Sequence, residues 1–333
     1  MWTGFILASY SVVGNDAIQT LGTFLSSNEK TPWYILWLFA AGILFTSLLY
    51  GYSSGDIDFG RLDKFSAPEK YEWYFLLPPL VLLTITNVGI PVSTTFMILT
   101  LFSISNIEGS PVDIFFSTFD SGTKLGGMVN KSVMGYIIAF FVSIILYLSI
   151  SKSTESIFKN NPVSKERKKM WISFQWITTG FLWFQWLSQD LANIYIYLGP
   201  NRDLSLIEFL ISALILVGLL GLIFKIKGGA IQKLVLTKTN TTDIRSATII
   251  DLLFSVILVI FKNNGLGLFD AKLPMSTTWV FIGLLAGREL AIKFSLKEKI
   301  SKSDLLLLGN DLFKVFTGLF VSVFLVIVIK LLV

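Results

Sequence analysis

Apolar runs of roughly 20 residues, the length an α-helix needs to cross a bilayer, recur along the whole chain and constrain its fold more than any other feature. Residues 33–51, 132–150 and 205–224 are examples. Only 15% of the 333 residues are charged. Soluble globular proteins have about 25% charged residues. We therefore predict an all-α polytopic protein of the cell (inner or plasma) membrane, crossing it many times.

Two residue types, cysteine and histidine, do not occur in the chain. Their absence excludes disulfides, thiol catalysis, haem ligation, histidine-based metal sites and a histidine general base. The net charge is +5, and much of the basic excess lies in predicted loops. That distribution is typical of cytoplasmic loops in membrane proteins rather than of nucleic-acid binding. The apolar N-terminus lacks a basic n-region and a cleavage site, which predicts a retained first helix.

One short motif occurs twice, as PVSTT at 91–95 and PMSTT at 274–278. Proline followed by hydroxyl side chains is a strong signal for the start of a helix. A single copy would be explained by an ordinary helix cap at a membrane surface. Two copies in corresponding places favour an anion site, because helix N-termini offer free N–H groups and a positive dipole end. The candidate substrate-binding residues are Ser93, Thr94, Thr95, Ser276, Thr277 and Thr278.

Two aspartates lie deep within apolar segments, Asp16 in the first helix and Asp190 in the run 171–198. A carboxylate in the bilayer interior costs several kcal/mol, so it is kept for a partner or for a function. Neither has a lysine or arginine within one helical turn in sequence, so a bound cation is a natural partner. The predicted Na⁺ ligands are Asn15, Asp16, Gln19, Gln189, Asp190 and Asn193. A proton on the acids, or hydrogen bonding between helices, is the alternative.

The two halves of the chain present these features in the same order, which predicts an internal duplication. We place the first repeat at 1–151, a basic cytoplasmic linker at 152–170 and the second repeat at 171–333. Each repeat is predicted to contain a broken or re-entrant helical hairpin ending in its hydroxyl motif, and we infer that the repeats are inverted. Residues 52–71 and 106–131 are predicted to be loops, and Pro78-Pro79 is predicted to interrupt the run 72–87.

The motifs resemble those of the inorganic phosphate transporter (PiT) family, whose halves each carry Gly-Ala-Asn-Asp-Val-x-Asn and Pro-Val-Ser-Thr-Thr-His. The corresponding stretches here are 13–19, 188–193 and the two hydroxyl motifs, with Gly228-Gly229 preceding the second of them. The resemblance implies Na⁺ at the aspartates and amides, phosphate at the hydroxyls, alternating access and a homodimer. The chain departs from the family's pattern at several positions. These are Phe96 and Trp279 in place of the motif histidines, Gln19 and Gln189 among the amides, and Ile43 in place of a glutamate.

The predicted function is therefore Na⁺-coupled symport of inorganic phosphate. Proton coupling, transport of sulfate or another tetrahedral oxyanion, and a membrane receptor without transport remain alternatives. An intramembrane aspartyl protease would leave the amides and the repeated hydroxyls unexplained, so we predict that the protein is not an enzyme. Arg288 is expected to lie at a membrane interface beside Glu289 rather than to bind substrate.

Overall fold

In the computed structural model of the chain, all regular secondary structure within the described residues is helical, with no strand there. The described residues are 1–66, 68, 70–87, 92–104, 110–151, 163–199, 203–227, 244–262, 267, 273–295 and 302–332. The predicted Gly228-Gly229 stretch and most of the linker, 152–162, lie outside them. The all-α class predicted from the apolar runs is confirmed.

The first half begins with one long, irregular helix and ends with one long, regular helix. Its elements are α1 (Trp2–Val12), a π-helical turn (Val13–Ala17), α2 (Ile18–Ser27), α3 (Trp33–Ser53), a 3-10 turn (Trp73–Leu76), α4 (Leu77–Asn87), α5 (Thr94–Ile104), α6 (Pro111–Ser117) and α7 (Lys124–Ser151). Pro78 and Pro79 lie in the first turn of α4, where the missing N–H groups cost no hydrogen bond. The predicted interruption of this run is therefore the boundary between the 3-10 turn and α4.

The second half repeats the long helix that carries the aspartate and the long terminal helix. Its elements are α8 (Lys165–Asp190), α9 (Ala192–Tyr195) with a 3-10 turn (Ile196–Leu198), α10 (Leu206–Lys225), α11 (Ile244–Lys262), α12 (Thr277–Ser295) and α13 (Lys302–Leu332). Helix α8 begins at Lys165, so the end of the predicted linker is helical. Ser205 and Glu208 form a capping box at the start of α10, which fixes that boundary locally.

Among the residues that the structure describes, five helices are long and apolar enough to cross a membrane. They are Trp33–Ser53, Lys124–Ser149, Leu206–Lys225, Ile244–Lys262 and Leu312–Leu332. By contrast α4 and α5 have 11 residues each, well short of the roughly 20 needed to span. Helix α12 has 19 residues, so the second hairpin lacks the shortness predicted for the first.

The long helix that follows each hairpin packs on the hairpin of the other half of the chain. Helix α13, which follows the second hairpin, packs on α5 of the first, and α7, which follows the first hairpin, packs on α12 of the second. Helices α3 and α10 pack on each other, α1 packs on α4, and α8 packs on α11. Because each half lies against the other in the same way, the ends of both hairpins are brought to the centre of the protein.

One loop prediction is wrong, and a second did not foresee a buried residue. Residues 110–131 contain α6 and the start of α7, because Ser110 and Asp113 form a capping box around Pro111, a local signal that outweighs the scattered charges. The described part of 52–71 has turns, as predicted, and Ser54, Asp56, Asp63 and Lys64 are exposed, but Arg61 is only 1% exposed. Burial raises the pKa of the Asp58 carboxyl in this loop to about 6.

Glycines permit the close approach of α12 to α7. A Cβ atom on Gly283 would overlap the carbonyl oxygen of Tyr136, and one on Gly287 would overlap that of Phe140. The two glycines are four residues apart, which puts them on one face of α12. Small residues at this spacing let helix backbones come into contact in membrane proteins, where dispersion rather than hydrophobic burial drives helix association.

Replacing Gly287 by alanine is therefore expected to destabilise the protein by about 1–3 kcal/mol, the usual cost of overpacking. Gly218 is the matched control, because a Cβ there meets no atom within 4 Å. Alanine at Gly218 is expected to be neutral or to stabilise α10 by about 0.5–1 kcal/mol. Thermal unfolding in detergent measures both. Equal melting temperatures for the two variants would contradict the close helix contact.

Candidate functional site

The residues predicted from the two halves come together at one place. All of the predicted substrate and cation residues are at most 5% exposed. The first motif begins α5 at Thr94, and the second begins α12 at Thr277. Ser93 Oγ accepts a hydrogen bond from the Phe96 backbone N–H at 3.2 Å. Ser276 Oγ does the same for Trp279 at 3.3 Å. Both serines therefore cap helices, as the local sequence predicts.

The two hairpin tips bond directly to each other. The Thr95 hydroxyl donates to the Met275 carbonyl oxygen at 3.2 Å, and the Thr278 hydroxyl donates to the Val92 carbonyl oxygen at 3.4 Å. Thr95 and Thr278 are the last residues of their motifs, and Val92 and Met275 are the second. The contacts are thus reciprocal, with the same motif positions used on both sides.

The aspartate of each half lies at an irregular point of its helix. Asp16 lies within the π-helical turn between α1 and α2, and π-helical turns are frequent at functional sites. Asp190 ends α8, and a one-residue turn at Leu191 separates it from α9. Both acids therefore lie where the regular helical hydrogen bonding is interrupted.

A chain of hydrogen bonds joins the two aspartates. The Thr94 hydroxyl donates to Asp16 Oδ2 and accepts from Asn193 Nδ2 at 3.2 Å. Asn193 Nδ2 also donates to Asp190 Oδ1 at 2.8 Å. The carboxyls lie close enough for their charges to interact, but donor side chains bridge them. Asp190 Oδ1 also lies 3.2 Å from Thr95 Oγ1, so the single hydroxyl hydrogen of Thr95 is shared between this carboxyl and the Met275 carbonyl oxygen, and Thr277 lies beside the same carboxyl.

The flanking amides are also engaged. Asn15 Nδ2 donates to Asp16 Oδ1 and to the Val92 carbonyl oxygen, and Gln19 Nε2 lies 3.5 Å from Asp16 Oδ1. In the second half, Gln189 Nε2 donates to the Leu258 carbonyl oxygen at 3.0 Å. Each aspartate is thus surrounded by amide and hydroxyl groups of its own half and of the facing tip.

Three buried oxygen atoms at this site receive no hydrogen bond from the described residues. They are Asn15 Oδ1, Asp190 Oδ2 and Asn193 Oδ1. An unsatisfied buried acceptor costs about 1–3 kcal/mol. Oxygen atoms without donors are the ligands that a hard cation prefers. The donor set therefore fits a bound Na⁺.

The aromatic residues that stand in the positions of the family's motif histidines contact each other. The rings of Phe96 and Trp279 meet edge to face with centroids 5.6 Å apart, and Phe316 packs on Trp279 at 5.0 Å. Neither Phe96 nor Trp279 is more than 1% exposed. An aromatic contact therefore joins the two tips in this structure.

Two buried charges at or near the site were not predicted. Arg61 donates to Gln189 Oε1 at 3.0 Å, although it lies in the predicted loop 52–71. Asp251 of α11 is 0% exposed. It accepts from the Thr23 hydroxyl at 2.7 Å and from the Thr179 hydroxyl at 2.5 Å. The sequence did contain a signal that Asp251 is buried, because it is an acid within the apolar run 247–261. No local sequence pattern indicates that Arg61 is buried.

Arg288 was expected at a membrane interface beside Glu289, and that placement stays a prediction. This residue is 7% exposed, so its side chain is enclosed by other parts of the protein. Its guanidinium lies over the Tyr147 ring at 5.5 Å, a cation–π contact between α12 and α7. The tight packing of these two helices explains why a position near the charged end of α12 is enclosed.

The chain is similar in structure to a solved protein described as a sodium-dependent phosphate transporter. The TM-score is 0.55, the sequence identity is 17%, and the alignment covers 99% of this chain and 98% of that one. No family model matches the chain, and no curated protein matches it. The similarity spans both halves, so the resemblance predicted from short motifs is confirmed at the level of the fold. The protein is a membrane protein that shares the fold of this transporter.

Proposed function

We propose that the protein transports inorganic phosphate across the cell membrane, coupled to Na⁺ by symport and alternating access. The observation that carries the proposal is the hydrogen-bonded chain from Asp16 through Thr94 and Asn193 to Asp190. These hydrogen bonds connect the proposed cation site to the threonine hydroxyls at the ends of the two hairpins. The transport function described for the structurally similar protein supports the same assignment.

The cation-binding part of the site consists of the two acids and their amides. Na⁺ is a transported substrate, held by Asn15, Asp16 and Gln19 in one repeat and by Asp190 and Asn193 in the other. The unsatisfied oxygens Asn15 Oδ1, Asp190 Oδ2 and Asn193 Oδ1 are available to it. Gln189 belongs to the same group in sequence, but its oxygen accepts from Arg61.

The anion-binding part of the site consists of the N-termini of α5 and α12 with their threonine hydroxyls. Their free N–H groups and positive dipole ends attract an oxyanion. The serines Ser93 and Ser276 act there through capping, which fixes the direction of the helix ends. Thr94, Thr95, Thr277 and Thr278 supply hydroxyls that can rotate to donate to phosphate oxygens.

Coupling follows from electrostatics. Two like charges 4 Å apart repel by about 4 kcal/mol at an effective dielectric constant of 20. Phosphate next to Asp16 and Asp190 is therefore unfavourable until a cation neutralises the acids. Thr94 contacts the Asp16 carboxyl and lies in the anion-binding part, so cation binding and anion binding act on the same hydroxyl. In this way the downhill cation drives the uptake of the anion.

The organisation of the halves follows the same proposal. The repeats 1–151 and 171–333 are related by inverted topology, the linker 152–170 is cytoplasmic, and each repeat contains a broken or re-entrant hairpin. The reciprocal bonds between the tips are those that a two-fold relation between repeats produces. Alternating access then consists of movement of one repeat against the other, and the assembly is a homodimer.

A non-transporting receptor for the same ligand is the second candidate. The observation that favours it is the contact between Phe96 and Trp279, which closes the tips with two rings. A receptor needs the ligand site but not the opening of the tips to both sides. Tight phosphate binding without flux would support this candidate and contradict the first.

Radiolabelled phosphate uptake into proteoliposomes tests the proposal. An inward Na⁺ gradient is expected to drive accumulation that an equal K⁺ gradient does not. Accumulation that follows a pH gradient without Na⁺ would assign coupling to protons. Equal inhibition by unlabelled sulfate and unlabelled phosphate would assign the cargo to oxyanions in general. Phosphate accumulation under neither gradient would contradict transport of this anion.

A further inference from the structure

Asp251 of α11 is a buried acid that the proposed transport site does not use. It is 0% exposed. Its Oδ1 accepts from the Thr23 hydroxyl of α2 at 2.7 Å, and its Oδ2 accepts from the Thr179 hydroxyl of α8 at 2.5 Å. Thr23 follows Asp16 by about two turns of helix, or roughly 10 Å. The carboxyl of Asp251 therefore lies apart from the proposed Na⁺ site.

The groups that act on this carboxyl carry no charge. Helix α2 has no ionisable side chain, and α11 also packs on α8, α12 and α7. Within the described residues, the only groups of these helices that act on the Asp251 carboxyl are the two threonine hydroxyls. The other ionisable side chains there are 166–169 and Asp190 on α8, Arg245 and Lys262 on α11, Arg288, Glu289 and Lys293 on α12, and Lys124, Lys131, Tyr136 and Tyr147 on α7.

A carboxyl in these surroundings favours its neutral form. An ionised carboxylate without a cation is costly in the bilayer interior, and a buried acid of this kind takes up a proton instead. The two threonine hydroxyls satisfy hydrogen bonds but bring no positive charge. Their contacts suit the neutral form as well, because a hydroxyl can accept the carboxyl proton as readily as it can donate its own.

The hydrogen bonds of Asp251 also distinguish a proton from a metal ion as its ligand. At the proposed Na⁺ site, Asp190 Oδ2 and Asn193 Oδ1 are buried and receive no hydrogen bond from the described residues. Both oxygens of Asp251 have a hydroxyl partner. The cluster therefore offers no open oxygen to Na⁺, whereas a proton needs none.

A row of polar side chains extends from this cluster to the end of α2. Ser27 lies one turn beyond the threonine of α2, and Gln175 lies one turn before the threonine of α8. The Gln175 amide nitrogen donates to Ser27 Oγ, and its oxygen accepts from Asn28 Nδ2 at 2.9 Å. Residues 29 and 30, which follow, are exposed. We call Ser27, Gln175 and Asn28 the polar row.

We propose that Asp251 is a proton-binding site, which holds a proton in the arrangement seen here and exchanges it with water along the polar row. The site goes beyond the proposed Na⁺-coupled symport and does not depend on it. Ionisation of Asp251 leaves an unbalanced charge where α2, α8 and α11 meet. The proton therefore stabilises the packing of α2, which begins just after Asp16, on α8, which ends at Asp190.

The competing explanation is an ionised Asp251 that only joins α2 to α8 through hydrogen bonds. Both explanations predict that loss of the carboxyl changes the stability of the protein, so a single melting temperature does not separate them. A protonated carboxyl has a carbonyl stretching band in the infrared that an ionised carboxylate lacks. The presence of this band distinguishes the two explanations directly.

Infrared spectroscopy of the purified protein in lipid, with and without saturating Na⁺, is the test. An exposed aspartate is ionised above about pH 4, so a carboxylic-acid band at neutral pH marks a buried protonated group. Asp251→Asn is expected to remove a band that corresponds to about one carboxyl per chain. Thr179→Val is expected to shift this band, because it removes one hydrogen bond. Asp203→Asn, at an exposed position before α10, is the matched control and is expected to leave the band unchanged.

The pH dependence of the melting temperature is a second readout. A carboxyl that is protonated in the folded protein and ionised in the unfolded chain makes stability fall as the pH rises. The melting temperature of the unaltered protein is therefore expected to fall relative to that of Asp251→Asn between about pH 5 and the pH at which the infrared band disappears. An ionised Asp251 predicts no such difference in slope.

Exchange of the proton tests the polar row. In D₂O the band is expected to shift as deuterium replaces the proton, and to shift more slowly in Gln175→Leu, because leucine interrupts the row. Equal exchange rates in the two proteins would overturn the row as the route of the proton.

The same band intensity in folded Asp251→Asn and in the unaltered protein would overturn the proton site. Loss of the Asp251 band on addition of Na⁺ at constant pH would overturn it as well, because Na⁺ would then be the ligand. Where Asp251→Asn does not fold, a shifted band in Thr179→Val supports the site, and the absence of any carboxylic-acid band in the unaltered protein at neutral pH overturns it. Phosphate uptake that ignores a Na⁺ gradient would contradict the proposed symport and leave the infrared result unaffected.

Discussion

Asp16→Asn is expected to lower Na⁺-driven phosphate uptake by about 100-fold, corresponding to roughly 3 kcal/mol. The asparagine keeps the shape of the side chain and removes the charge that attracts the cation. The Thr94 hydroxyl, which donates to Asp16 Oδ2, would then face an amide instead of a carboxylate. Uptake into proteoliposomes as a function of Na⁺ concentration measures the loss, which is expected in the apparent Na⁺ affinity first.

The melting temperature of Asp16→Asn distinguishes a loss of cation binding from misfolding. Asp16 is 1% exposed, and a buried charge without a bound cation is costly. Its removal is therefore expected to keep or raise the melting temperature measured without Na⁺, while Na⁺ no longer raises it further. Asp190→Asn is expected to behave similarly in uptake. Asp203→Asn, at an exposed position before α10, is the control and is expected to leave uptake unchanged. Full uptake in folded Asp16→Asn would exclude this carboxylate from the transport site.

Thr94→Val is expected to reduce uptake by about 10- to 100-fold, because one hydroxyl serves both parts of the site. Hydrogen bonds to charged groups contribute about 1.5–3 kcal/mol. Valine has nearly the same shape as threonine, yet it can neither donate to Asp16 nor accept from Asn193. The expected result is a loss of both Na⁺ affinity and phosphate affinity. Removing a contact to phosphate alone would spare the Na⁺ affinity measured without phosphate.

The hydroxyl at this position can be restored without the methyl group. Thr94→Ser is therefore expected to recover most of the uptake. Thr84→Val is the matched control, since Thr84 is exposed and its hydroxyl bonds only within α4, to the Leu80 carbonyl oxygen at 2.9 Å. If Thr94→Val and Thr84→Val transport equally well, Thr94 does not couple the two ligands.

Local patterns predicted much of the fold. The apolar runs at 33–51 and 205–224 became α3 and α10 within a few residues, because a segment that must satisfy its backbone inside a membrane has almost no choice but a helix. Both hydroxyl motifs start helices capped by their serines, since capping depends only on neighbouring residues. Even the acids Asp16 and Asp190 were recognisable, because a charge within an apolar run is improbable without a function.

Where contacts depend on distant parts of the chain, the sequence was silent or misleading. Arg61 bonds to Gln189, 128 residues away, and Asp251 bonds to Thr23, 228 residues away. In sequence, a charged loop that folds into the protein cannot be distinguished from one that is exposed to solvent. Only the packing revealed that Arg61 is buried. The scattered charges of 106–131 likewise hid the capping box that starts α6.

The sequence by itself determined that the chain is a helical membrane protein with two matching sets of acids, amides and hydroxyls. Only the tertiary structure decided that the two tips bond to each other, that Thr94 lies between the acids, and that Arg61 contacts Gln189 in the second half. The physical reason is the separation along the chain over which each interaction acts. Backbone satisfaction and capping act over one helical turn, whereas the partner of a buried charge is chosen by how the helices pack.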